Sequence, residues 1–113
     1  MEKYTEKRTK KRITASVPLR YKELHGKTYL ARGTLLKNIS ESGVRFSADK
    51  FIPLSAHLVL EINLPHTVQA VKTIAKVAWI KKLPAGKYYD IGNHFLAMSD
   101  RDEKFIASFV KAF

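Results

Sequence analysis

Six antiparallel β-strands followed by one C-terminal helix are the fold this sequence predicts, and three of its features carry the prediction. Between residues 13 and 97, β-branched and aromatic side chains recur at a period of two, the spacing at which a strand presents alternate residues to opposite faces. Clusters of Gly, Pro, Asn and Ser break that pattern at short intervals, as connections between antiparallel strands require. Past Ser99 the apolar spacing changes to the three-and-four pattern of a helix. At 113 residues the chain is long enough for one hydrophobic core and too short for two ordinary domains.

The first strand is expected over about Thr14–Leu24, ended by Gly26-Lys27, and the second over about Thr28–Ile39, ended by Ser40-Glu41-Ser42-Gly43. Val44–Ser47 follows at once as a short third. Pro53-Leu54-Ser55 leads into the fourth, His57–Leu64, where Leu58, Leu60, Ile62 and Leu64 alternate with Val59, Glu61 and Asn63, the pattern of a half-buried strand. Pro65-His66-Thr67 separates it from Val68–Leu83, an apolar run punctuated by Lys72, Lys76, Lys81 and Lys82. Pro84-Ala85-Gly86-Lys87 supplies a hairpin loop and Tyr88–Ala97 the sixth strand. Ser99 and Asp100 are placed to cap the helix, with Asp102 and Glu103 in its first turn. Phe105, Ile106, Phe109, Val110 and Phe113 then share the face that packs on the strands.

Charge narrows the function classes. The chain carries 21 Lys and Arg against 10 Asp and Glu, a formal net charge of +11, so phosphate-bearing ligands, nucleic acids and anionic membranes are all physically favoured partners. Residues 1–12 hold six basic and two acidic side chains and no apolar run. They read as a flexible, solvated arm in front of a folded unit spanning 13–113. A secretory signal needs an apolar stretch of about 7–15 residues and a membrane span about 18; the sequence has neither, which predicts a cytoplasmic protein. Without cysteine there are no disulfides or thiolate metal sites. His25, His57, His66 and His94 lack ligand spacing and read as surface or loop residues, so no metal is expected. No nucleophile–base pair, carboxylate pair or phosphate-cradling glycine loop is visible, so binding is expected rather than catalysis.

Two short motifs carry chemistry. Arg8-Thr9-Lys10-Lys11-Arg12 sets two arginines four positions apart just before the first strand, about 13–14 Å between α-carbons if extended. A guanidinium fork pairs with phosphate or with the O6/N7 edge of guanine, which lysine matches less specifically. The same segment also reads as a plain charge run, a nuclear localisation signal or a nucleic-acid arm. The second motif is Asn38-Ile39-Ser40-Glu41-Ser42-Gly43. Strand alternation places Leu36, Asn38 and Ser40 on one face and Lys37 and Ile39 on the other. The amide of Asn38 can accept from a guanine edge, the hydroxyl of Ser40 can donate to a phosphate, and Gly43 permits a positive φ where the chain reverses. An ordinary hairpin turn would use the same residues. Asn38-Ile39-Ser40 also matches a glycosylation sequon, irrelevant to a chain that is not secreted.

Taken together and in order, these motifs resemble the signature of the PilZ family. The likeness extends to Val44-Arg45-Phe46, Ala75-Lys76-Val77-Ala78-Trp79-Ile80, Tyr88-Tyr89-Asp90-Ile91-Gly92-Asn93-His94-Phe95 and the closing helix. The resemblance implies an all-β, six-stranded antiparallel barrel with a C-terminal helix, acting without catalysis as a receptor for the bacterial second messenger cyclic di-GMP. It implies that Arg8 and Arg12 clamp the guanine and phosphate groups while Asn38, Ser40 and Gly43 form the opposing surface. Lys7, Lys11 and Arg45 are possible additional contacts. Asn38 stands where the family often has Asp, a weaker acceptor for guanine N–H groups. One bound nucleotide or an intercalated pair is open, and Lys7, beside the first arginine, is where stoichiometry should be influenced. Arg45 reads more simply as a solvated strand residue and Trp79 as core packing. No cofactor is expected besides the ligand. Binding is expected to order the arm and alter contact with an unidentified protein partner. The alternatives are a basic barrel that binds nucleic acid and a PilZ docking module without nucleotide.

Overall fold

The structure, a computed structural model, describes residues 11–25 and 31–112. Six strands are present: β1 (Arg12–Glu23), β2 (Arg32–Ser40), β3 (Gly43–Ala48), β4 (His57–Ile62), β5 (Val71–Lys82) and β6 (Tyr89–Ala97). All neighbours are antiparallel, and the order β1-β2-β3-β6-β5-β4 closes into a barrel. Closure is made by β4 returning to β1, with Leu19 opposite Ile62 and Tyr21 opposite Leu60. A closed barrel leaves no strand edge open to further pairing.

The period-two pattern becomes the core. Leu58, Leu60 and Ile62 of β4 point inward and are fully buried, as are Val71, Ala75 and Val77 of β5, together with Leu19, Leu36, Ile39, Phe46 and Ile91. The rings of Tyr21 and Phe46 meet at 4.9 Å in the barrel interior. Each Val, Leu, Ile or Phe side chain so buried contributes about 1.5–3 kcal/mol before entropy is counted.

Several boundaries differ from expectation, β4 for instance ending at Ile62 rather than Leu64. β1 begins at Arg12, so the second arginine of the first motif is a strand residue rather than part of an arm. β5 begins at Val71, not Val68. The turn after Pro65 occupies the intervening residues, with His66 at φ 69° and the Thr67 hydroxyl donating to the Leu64 carbonyl at 3.0 Å, and Val68 projects fully into solvent. The part of the expected second strand at Thr28–Leu30 lies outside the described residues.

The helix, α1 (Asp100–Lys111), is capped by Ser99, whose Oγ accepts from the Asp102 backbone N–H at 3.1 Å. Asp100, Asp102 and Glu103 in its first turn complement the helix dipole. Ile106 and Val110 are buried, with Phe105 and Phe109 packed partly against the core. Asp102, also buried, accepts the backbone N–H of Lys72 at 3.1 Å. An acidic residue of the first turn thus ties the helix to the start of β5. No helix among the described residues is long and apolar enough to cross a membrane.

Candidate functional site

Three β-bulges decide which side chains face outward. Thr14 pairs with Asn38 and Val17 with Leu36, so Ala15 and Ser16 stand opposite the single residue Lys37. On its other side, Leu36 pairs with Phe46 and Asn38 with Arg45, leaving Lys37 unmatched. A bulge shifts the alternation by one. Leu36 and Ile39 therefore both face the core, 2% and 0% exposed, and Asn38 points out. The expectation that Leu36 shares a face with Asn38 and Ser40 is corrected by this slip. In β5, Val77 pairs with Asn93 and Trp79 with Gly92, so Ala78 is the extra residue. That bulge turns Trp79 outward, 43% exposed, where simple alternation predicts core packing.

The result is one transverse row around the outside of the barrel, Thr14–Asn38–Arg45–Gly92–Trp79, each residue the register partner of the next. Arg12 lies beside it and its guanidinium donates to Oδ1 of Asn38. Gly92 makes the flat end of the row possible, since a Cβ there would meet the indole Nε1 of Trp79 at 2.2 Å. Arg12, Asn38, Arg45, Trp79, Gly92 and His94 line a depression of about 220 Å³. A wider groove of about 750 Å³, bordered by Thr14, Ser16, Leu35, Lys37 and Arg45, adjoins it. A separate cavity of about 380 Å³ lies at the far end of β1, lined by Tyr21, Arg32, Lys50 and Phe51.

Arg12 and Asn38 are thus brought together, and Arg45 joins them. Arg8 and Lys7 lie outside the described residues, and Lys11 is exposed just before β1. Ser40 is 1% exposed. Its Oγ accepts the Ser42 backbone N–H at 3.2 Å and lies 3.1 Å from the Ser42 hydroxyl, so it builds the turn that carries Asn38 and Gly43. Gly43 is needed for a different reason than expected. Its φ is not positive, and Gly86 is the glycine that is left-handed among the described residues. Instead, a Cβ on Gly43 would sit 2.1 Å from the carbonyl oxygen of Asn93, so the missing side chain allows β3 to approach β6.

Asp90 is the feature that the sequence did not single out. It is buried, and its carboxylate accepts from Lys37 Nζ at 2.8 Å and from Arg45 Nη2 at 2.7 Å, with the Ser47 hydroxyl at 3.3 Å. Burial pushes its pKa up, but the hydrogen bonds and charges of Lys37 and Arg45 outweigh that and hold it below the ordinary carboxylate value. Arg45 is therefore an anchored cation and not a freely solvated strand residue. Arg12 has its pKa lowered, first by partial desolvation and then by the nearby charge of Arg45. Two cations thus share one carboxylate and Arg12 lies near one of them, so a further anion would offset the surplus.

The depressed pKa of Asp90 fixes a sign. Its contribution to stability is complete above the unfolded-state value of about 3.9 and fades as pH falls through the lower folded-state value. Asp90→Asn is expected to cost about 1–2 kcal/mol at pH 7, less than a fully buried pair because both cations are more than a third exposed. Urea melts at neutral pH and at about pH 3 should show the difference from wild type shrinking in acid. Equal stability at neutral pH would contradict it.

Comparisons with known proteins place this geometry. The sequence model of the PilZ domain matches residues 6–112. No curated protein matches. Among solved structures, the Bacillus subtilis inhibitor of motility (MotI/DgrA) superposes with a TM-score of 0.74 at 20% identity, covering 91% of this chain and 49% of that one. The chain spans about half the length of that protein. The PilZ domain of YcgR from Escherichia coli, solved with cyclic di-GMP, gives a TM-score of 0.66 at 16% identity over 89% of this chain and 86% of that one. The PilZ domain of CeSA from a cellulose-synthesising bacterium gives 0.62 at 12% over 89% and 95%. At these identities the structural likeness is one of fold, and it is the same closed six-stranded barrel with a terminal helix. With the sequence match spanning nearly its whole length, the chain belongs to the PilZ domain family, a family of cyclic di-GMP receptors.

Proposed function

We propose that this chain is a cytoplasmic, non-enzymatic receptor for cyclic di-GMP. Arg8 and Arg12 clamp the guanine and phosphate groups from one side, and Asn38, Ser40 and Gly43 form the opposing surface, Asn38 by contact and the other two by shaping the turn. The observation that carries this is the hydrogen bond from Arg12 to Asn38, which joins the two sequence motifs on one outer face of the barrel. A ligand with two phosphates offsets the local surplus of positive charge, and charge-assisted hydrogen bonds to it contribute about 1.5–3 kcal/mol each. The segment before β1 has too little apolar surface to order itself, so ligand contact through Arg8 is what orders it and changes the surface offered to a protein partner.

Calorimetry should show cyclic di-GMP binding at low-micromolar or tighter affinity and GMP binding poorly. No heat from folded protein at high concentration would refute the receptor function. Trypsin should cleave after Lys7, Arg8, Lys10 and Lys11 more slowly once cyclic di-GMP saturates the protein; unchanged cleavage with binding confirmed would refute the ordering step alone. One observation favours a second function. Outward-facing Trp79 among basic strands supplies the exposed aromatic that a single-stranded nucleic-acid surface needs. Salt separates the two, since a polyelectrolyte releases condensed counterions and binds with a steep log–log salt slope, whereas a dinucleotide gives a shallow one.

A further inference from the structure

The end of the barrel away from Arg12 and Asn38 holds a cavity with its own chemistry. Tyr21 and Arg32 are register partners across β1 and β2, so their side chains leave the sheet on the same face, and both line the cavity of about 380 Å³. The Tyr21 ring packs on Phe46 and the residue is 6% exposed, yet its hydroxyl makes no hydrogen bond to another described residue. Burial and the charge of Asp49 raise the pKa of that hydroxyl, so at neutral pH it is a donor. Arg32 engages Asp49 through Nη1 alone, at 3.4 Å, with both side chains nearly half exposed. Such a long, wet pair holds the guanidinium weakly. Lys22 and Lys50 add positive charge at the cavity against the negative charge of Glu23. Phe51, which is exposed, and Ile52, which is buried, give it an apolar wall.

We propose that this cavity is a second binding site, for a small aromatic carboxylate: the ring packs against Phe51 and Ile52, and the carboxylate takes the place of Asp49 on Arg32 and accepts the Tyr21 hydroxyl. The size suits such a molecule, since small-molecule sites span about 300–1,000 Å³ and this one lies near the lower limit. Apolar wall and convergent donors together are what a ligand with one ring and one charge requires. The site is independent of cyclic di-GMP, because Arg12 opens β1 and Tyr21 lies close to its other end.

The test follows amide chemical shifts of the full chain while phenylacetate is titrated in, with phenylacetamide as its neutral counterpart and acetate as the anion without a ring. Phenylacetate should give saturable changes at Tyr21–Glu23, Arg32 and Phe51–Ile52, with a Kd of about 1 mM or tighter. Phenylacetamide and acetate should each bind at least about fivefold more weakly. Arg32→Gln, with its fold checked by circular dichroism, should weaken phenylacetate by at least about fivefold. Asp49→Asn frees Arg32 and should tighten binding about two- to threefold. Glu103→Gln makes the same charge change at an exposed position of α1 and should alter binding by less than about 1.5-fold, as a distant screened charge would. Absence of saturable changes would overturn the site. So would phenylacetamide binding as well as phenylacetate, which would show an apolar hole without anion recognition. Equal gains in Asp49→Asn and Glu103→Gln would show diffuse charge alone and would overturn it too. Wild type that binds phenylacetate but no cyclic di-GMP would refute the receptor function and leave this site standing.

Discussion

Gly43→Ala is expected to destabilise the barrel by about 2–3 kcal/mol. The added methyl would lie 2.1 Å from the Asn93 carbonyl oxygen, well inside contact distance, and that atom is backbone. It cannot swing away as a side chain could. Relief requires β3 and β6 to separate where Gly43 pairs with His94 and where the Phe95 N–H donates to the Ser42 carbonyl at 2.9 Å. Against this, alanine lowers the entropy of the unfolded chain by about 0.4–1 kcal/mol in the folded state's favour, too little to compensate. Because the same turn presents Asn38, ligand affinity should fall along with stability. Urea unfolding measures the first effect directly, and a variant as stable as wild type would show that Gly43 serves only the ligand.

Arg12→Ala is expected to weaken cyclic di-GMP binding by about 1–3 kcal/mol, roughly five- to hundredfold, while leaving the melting temperature nearly unchanged. Arg12 is an exposed residue at the first position of β1, and the Asn38 oxygen it releases remains open to water, so the fold loses little. What is lost is a fork-shaped donor already aimed across the site by its bond to Asn38. Lys11, one residue earlier and exposed, should tolerate the same substitution with a much smaller loss. Equal losses at both positions would mean that a diffuse positive patch binds the ligand and that the motif's spacing carries no information.

Much of this fold is legible in the sequence because burial on one face of a strand writes a period of two, and β4 shows it without interruption. What the pattern conceals is where a strand takes in one extra residue. Nothing in Leu35-Leu36-Lys37-Asn38 or in Val77-Ala78-Trp79 marks Lys37 or Ala78 as the doubled position, yet these bulges decide that Asn38 and Trp79 face the same outer row. The Asp90 cluster was hidden for another reason. Its partners are 53 and 45 positions away in sequence and meet it only because the barrel order sets β2, β3 and β6 side by side. Gly43 was visible as a turn residue, but its closeness to Asn93 is a tertiary fact. The motifs named the arginine and the amide; their juxtaposition required the folded chain.

Backbone amide chemical shifts of isotope-labelled protein, followed while cyclic di-GMP is titrated in, test most directly whether the ligand sits on this outer row. The largest changes are expected at Arg12, Asn38, Ser40 and Gly43 and along the row through Arg45 to Trp79, with little change in α1 or at Tyr21–Glu23. Changes centred instead on the far cavity of Tyr21, Arg32 and Phe51, with the row undisturbed, would place the ligand elsewhere and contradict the proposed site.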